Sequence, residues 1–190
     1  MKFGTLLILT ALFFLTGFVV RKKSIPRLGI VAPLEQDSLA YASGFRMLGE
    51  SVGRMLSPSL TEAQFQQNLI RIKKAKCKVL LCNIFFPGSI KIAGPAVDEN
   101  RVLGYADTVL SRAKEAGLSF IILGSGGARR LPDGYDAVKA QADFIPLCRK
   151  LAMVAGKYGI TIALESLQAA ETNFLVSLTS AAEVVRAVDH

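Results

Sequence analysis

The sequence predicts an α/β protein built on a parallel sheet, and three observations carry that expectation. Residues 118–123 and 160–164 are nearly unbroken apolar runs of strand length, the pattern of parallel strands buried on both faces. Between them, residues 136–158 form an amphipathic stretch of helix length, and the same alternation of strand and helix runs back to residue 27. With 51% hydrophobic and 20% charged residues in 190, the chain can bury a substantial core as one domain.

Taken in order, the first segment is a separate object. Met1 and Lys2 precede eighteen uncharged residues, 3–20, followed by Arg21, Lys22 and Lys23. That run is long for a signal core and just long enough for a membrane span, so residues 1–23 are expected to be a signal peptide or membrane anchor and residues 24–190 the folded domain. Leu15, Thr16, Gly17 and Phe18 resemble the end of a bacterial lipoprotein signal, with Phe18 where the lipidated Cys would stand. Export, to a periplasmic or membrane-associated location, is the expectation.

The domain then reads as five βα units. Residues 27–33 make a short strand, followed by a small helical piece at 38–43. A weaker strand at 45–51 ends near Glu50. Thr61 is a good N-cap side chain, and Phe65, Leu69 and Ile72 share one face of the helix behind it. Residues 78–86 are the next strand, in which Cys82 reads as a small core hydrophobe. Asp98 caps the clearest helix, with Val102, Leu103, Ala106, Val109, Leu110 and Ala113 as its buried stripe and Gly117 as its stop. After strand 118–123 comes a glycine loop, Gly124 to Arg130, then helix 136–158, strand 159–164 and a last helix at 180–188. Tyr158, Phe85 and Phe86 are read as core. Two closures suit such a chain, a doubly wound sheet and a (β/α)8 barrel, and periodicity does not choose between them.

Charge and cysteine content exclude several functions. Twenty-three Lys and Arg against fifteen Asp and Glu give a formal net charge of +8, but the basic residues are scattered and not interleaved with aromatics. A solvated surface, not a nucleic-acid partner, is expected. Cys77, Cys82 and Cys148 form no CxxC pair, so neither a zinc site nor a disulfide framework is suggested.

Glu165 is the residue to explain, because a carboxylate closing a buried parallel strand falls where α/β folds place chemistry. The loop from Gly124 to Gly134, the segment 152–159, the strand ending at Glu165, and the run Glu171, Thr172, Asn173, Phe174 together resemble the xylose-isomerase-like TIM-barrel family of sugar phosphate isomerases and epimerases. The similarity covers residues 27–190 and is strongest from Leu118 onward. It implies a partial (β/α)8 barrel of about five βα units. It also implies that Glu165 binds a divalent metal, Mn2+ or Mg2+, and acts as acid/base on a small sugar or sugar phosphate, with Glu171 bonded to a substrate hydroxyl. Gly126 and Arg129, in the glycine loop, are the further substrate-binding candidates.

The chemistry accounts for these residue types. Moving a proton next to a carbonyl needs a base near the carbon and a cation that stabilises charge building on oxygen, and a carboxylate beside Mg2+ or Mn2+ serves both. One glutamate does not complete such a site; the family's other ligands are expected beyond residue 190, where three further units would follow. The chain alone is therefore expected to be inactive, with two open sheet edges that favour association, including homo-oligomerisation. Two other readings stand beside the enzyme: a non-catalytic exported sugar-binding protein of the same fold, and a nuclease of the endonuclease IV type, which needs several histidines where this chain has only His190. Glu50 faces either the same mouth or the surface. The glycine loop lacks GxGxxG spacing and is at least as well read as a tight turn; Arg129 and Arg130 are either solvated or bind an anionic group.

Overall fold

The computed structural model describes residues 28–190. The expected signal or anchor at 1–23 lies outside the described residues, and among these no helix is long and apolar enough to cross a membrane. The elements are β1 (Gly29–Val31), a 3-10 turn (Leu34–Gln36), α1 (Asp37–Ala42), β2 (Met47–Ser51), α2 (Val52–Met55), α3 (Glu62–Lys74) and β3 (Lys78–Asn83). They continue with α4 (Glu99–Glu115), β4 (Phe120–Leu123), α5 (Gly126–Arg129), α6 (Ala137–Tyr158), β5 (Thr161–Leu164) and α7 (Leu178–Val188).

Local chemistry sets most boundaries. Thr61 and Gln64 form a reciprocal capping box at the start of α3. Asp98 accepts the Arg101 N–H at 3.0 Å, and Asp136 accepts those of Val138 and Lys139. Gly159, at φ 69°, ends α6 in the left-handed conformation that glycine adopts without penalty. Along α4, Val102, Ala106, Val109, Leu110 and Ala113 are sealed against the sheet. Each such Val or Leu contributes about 1.5–3 kcal/mol over an exposed position.

All five strands are parallel and neighbours in chain order, β1-β2-β3-β4-β5. A doubly wound sheet reverses its order at a switch point and is covered on both faces. Here there is no reversal, and the two faces differ. The row Glu50, Cys82, Ile121, Ile162 lies under the helices, the first three of these almost fully buried. The neighbouring row Val31, Gly49, Leu81, Phe120, Thr161 points the other way, with Val31 54% and Phe120 37% exposed. Sequential parallel order with helices over one face only is the arrangement of a (β/α)8 barrel wall, in which the open face is the barrel interior.

Three features depart from the sequence reading. β3 ends at Asn83, not 86, because Ile84 turns left-handed at φ 53° and sends Phe85 and Phe86 into the core, their rings stacked 4.2 Å apart. α7 starts two residues early, where Ser177 and Ser180 cap each other. The short helices α2 and α5 were not anticipated, since four-residue helices leave no periodic trace.

Asp37, at the start of α1, joins distant parts of the wall. Its carboxylate accepts the N–H groups of Lys76 at 2.7 Å and Cys77 at 2.8 Å, just before β3. Burial pushes its pKa up, but the bonds from Cys77 and Lys76 outweigh that, and the pKa lies below the usual aspartate value. Because the folded-state pKa is depressed, the stabilisation is present above the unfolded value and fades as pH falls through the folded one. Asp37→Ala should cost roughly 2–3 kcal/mol at neutral pH, measured by urea unfolding. The gap to wild type should narrow below about pH 4; an unchanged urea midpoint at neutral pH contradicts this role.

Candidate functional site

Glu165 directly follows β5 and extends its ladder, its N–H donating to the Leu123 carbonyl at 3.1 Å. Side chains alternate along a strand, so Glu165 shares the open, barrel-interior face with Thr161 and Ala163. Its side chain is solvent-exposed at the C-terminal edge of the sheet. The space it occupies exists because residue 124 is glycine: a Cβ there would stand 2.2 Å from Glu165 Oε2.

The glycine loop builds the rest of the wall. Ser125, left-handed at φ 49°, accepts the Phe86 N–H at 2.9 Å with its Oγ, tying the ends of β3 and β4 together. Gly126 packs so tightly that an added Cβ would lie 2.7 Å from the Glu171 carbonyl oxygen. This close approach brings segment 165–171 across the loop and places Glu171 beside Glu165. Together with Asn83, Ile84, Ser125 and Gln168 they line a cleft of about 570 Å3. Asn173 holds the neighbouring turn, accepting the Leu131 N–H at 2.8 Å and donating to its carbonyl at 3.0 Å.

Arg129 has a place the sequence did not reveal. It is 0% exposed and does not line the cleft, so a substrate does not reach it in this structure. Its Nη1 donates to the Glu165 carbonyl at 2.7 Å and its Nη2 to the Leu175 carbonyl at 3.5 Å. Burial lowers its pKa, while the nearby Glu165 and Glu171 carboxylates raise it. The cation acts as a clamp under the site rather than as a substrate ligand or a solvated charge. Arg130 is exposed and donates to the Ala170 carbonyl at 3.3 Å.

Glu50 faces neither the mouth nor the surface. It is 4% exposed and turns into the helix layer, where it accepts the N–H groups of Leu34 and Ser51 and the Arg54 Nε. Asn83 and Ile84 were missed as cleft residues. Asn83 lines the cleft, and its Oδ1 is buried without a hydrogen-bond partner. Ile84 and Ser125 both line the cleft in left-handed conformations, which for a β-branched residue stores about 1–3 kcal/mol of strain.

The cleft walls carry two carboxylates and no basic side chain. Among the described residues no three Asp, Glu, His or Cys side chains come together to hold a metal ion. Glu165 and Glu171 offer hard oxygen donors of the kind Mg2+ and Mn2+ prefer, but these residues do not by themselves make a complete metal site. His190 lies on the helix side of β5, against Gly156, and lines no part of the cleft.

The clamp is testable. Arg129→Met should cost roughly 3 kcal/mol in urea unfolding, because a charge-assisted bond is lost and the Glu165 carbonyl is left unpaired. It should also speed proteolysis within residues 166–176. A solvated arginine would change stability by less than about 0.5 kcal/mol, and that outcome would remove the clamp.

No family model matches the chain, and no curated protein matches it. Solved structures do. An L-ribulose 3-epimerase matches with a TM-score of 0.68 at 19% identity over 87% of this chain and 58% of that one. An AP endonuclease, family 2, from Brucella melitensis matches with a TM-score of 0.66 at 20% identity over 87% and 66%. An IolI protein with a bound zinc atom matches with a TM-score of 0.60 at 13% identity over 87% and 60%. The chain spans less than two thirds of the length of each. Its five-stranded parallel wall therefore has the fold of the xylose-isomerase-like TIM barrels over five βα units.

Proposed function

We propose that this chain contributes the acid/base half of a divalent-metal-dependent sugar isomerase or epimerase. The observation that carries the reading is the Glu165 carboxylate, held at the C-terminal edge of the barrel wall by the Arg129 clamp below and the Gly124 gap beside it. The sugar epimerase among the structural neighbours and the zinc-holding protein beside it support the substrate and metal classes.

Glu165 is suited to take the proton from the carbon next to a substrate carbonyl. Returning it to the adjacent carbon completes an isomerisation; returning it to the opposite face, an epimerisation, needs a second acid across the substrate. Glu171, in the same cleft, is placed to accept a hydrogen bond from a sugar hydroxyl. Gly126 lets the Glu171 segment close over the loop. Further oxygen or nitrogen donors must join Glu165 before a cation is firmly held.

A neutral sugar suits the cleft better than a nucleic acid, since two carboxylates without a cation repel a phosphate backbone. The incomplete donor set favours one other reading, a sugar-binding protein without catalysis. On the sequence alone, the N-terminal apolar run would hold the domain at a membrane after export. The open edges of β1 and β5 would pair with further chain, including a second copy.

Calorimetry with Mn2+ separates the two readings. The enzyme reading predicts weak binding that falls roughly tenfold or more in Glu165→Gln. The same loss is expected in Gly124→Ala, whose new methyl displaces the carboxylate while the melting temperature holds. Mn2+ affinity indifferent to both changes removes Glu165 as a ligand and leaves the binding protein. The 190-residue chain with Mn2+ should show little or no turnover of ketoses or aldoses; robust turnover would refute the account of an incomplete site.

A further inference from the structure

A second cavity adjoins the Glu165 cleft, and the two share a wall. It has a volume of about 880 Å3 and lies between the ends of β2 and β3 and the first turns of α4. Ile84 lines both spaces. That residue is unusual three times over: β-branched, left-handed at φ 53°, and 53% exposed. Its conformation is imposed by its neighbours, since Phe85 and Phe86 are buried and the Phe86 N–H is bound by Ser125. The result is an apolar side chain held up as a ridge between the two spaces.

The two cavities differ in chemistry. The Glu165 side carries both carboxylates, whereas the second has none: its largely apolar wall carries serine, threonine and tyrosine hydroxyls, among them Ser59, Ser89, Tyr105 and Thr108, and the guanidinium of Arg101. Pro87 adds an apolar surface next to the Ile84 ridge. Hydroxyls that donate and accept, set around apolar patches, match a sugar ring with its polar rim and C–H faces. Either cavity alone falls in the range of roughly 300–1,000 Å3 usual for one small ligand. Proton chemistry on a single ring uses only the first.

We propose that the substrate is a glycoside of at least two units, with the reacting ring at Glu165 and the second ring across Ile84 in the hydroxyl-lined cavity. This rests on the sugar reading of the Glu165 cleft and extends it to a substrate class. The second ring takes no part in proton transfer; it supplies binding and fixes the orientation of the first.

The glycines of the second cavity provide the test. A Cβ added at Gly104 in α4 or at Gly53 in α2, both lining this cavity, would meet nothing within 4 Å, so larger side chains there enter open space. Saturation-transfer NMR titrations of the 190-residue chain with Mn2+ would compare cellobiose, maltose and lactulose with D-glucose and D-fructose. At least one disaccharide should bind about tenfold or more tightly than the monosaccharides. Gly104→Phe should abolish that advantage and leave monosaccharide affinity unchanged, while Gly104→Ala keeps it. Gly53→Phe repeats the block from a second lining position should Gly104→Phe not fold. Disaccharides that bind no better than monosaccharides, or whose advantage survives the Phe variants, overturn the second subsite. Monosaccharide contacts that weaken in Glu165→Gln then leave the Glu165 reading standing. A folded chain that binds none of these sugars overturns both.

Discussion

The guanidinium of Arg129, sealed from solvent, donates to the main-chain carbonyl of the residue that matters most, and the geometry of the site follows from that bond. A strand end is free to splay once its ladder stops, and β5 stops at Leu164. By holding the Glu165 and Leu175 carbonyls together, Arg129 fixes both where the chain leaves the sheet and how segment 165–175 returns over it. A buried cation is costly unless its donors are used, and one, the Nε, has no partner. The expense is tolerable because the carbonyls it satisfies, and the two carboxylates beyond them, form a negative environment that favours the charge. The glycines complete the arrangement by absence: Gly124 leaves room for a carboxylate and Gly126 for a backbone.

One-sided winding of the sheet decides what that carboxylate faces. Successive parallel neighbours with helices over one face leave the other as a concave interior, and strand alternation assigns Glu165 to it. Glu50 shows the opposite case. It belongs to the row under the helices, so its charge is consumed by Leu34, Ser51 and Arg54 inside the wall. The two acidic strand-end residues thus have different fates because of their parity along the strand, not because of their chemistry.

What was legible in the sequence was local. The caps at Thr61 and Asp98, the stop at Gly117 and the carboxylate closing an apolar strand depend on residues a few positions apart, and they appear as expected. The choice of a barrel over a doubly wound sheet required strand order, which periodicity does not encode but the family resemblance supplied. The missed features depend on distant partners. Arg129 looked like a surface cation because the carbonyls that bury it lie 36 and 46 residues away. Ile84 looked like one more strand residue, and only the packing of Phe85 and Phe86 forces the turn that ends β3 and makes a ridge of it.

The most direct test of the central claim is anomalous diffraction from crystals of this protein soaked with Mn2+. The account predicts a peak at coordinating distance from the Glu165 carboxylate, on the open face of the sheet, which disappears in Glu165→Gln crystals. Density showing Glu165 folded into the wall against a basic side chain, or a manganese peak only at sites remote from it, would contradict the account.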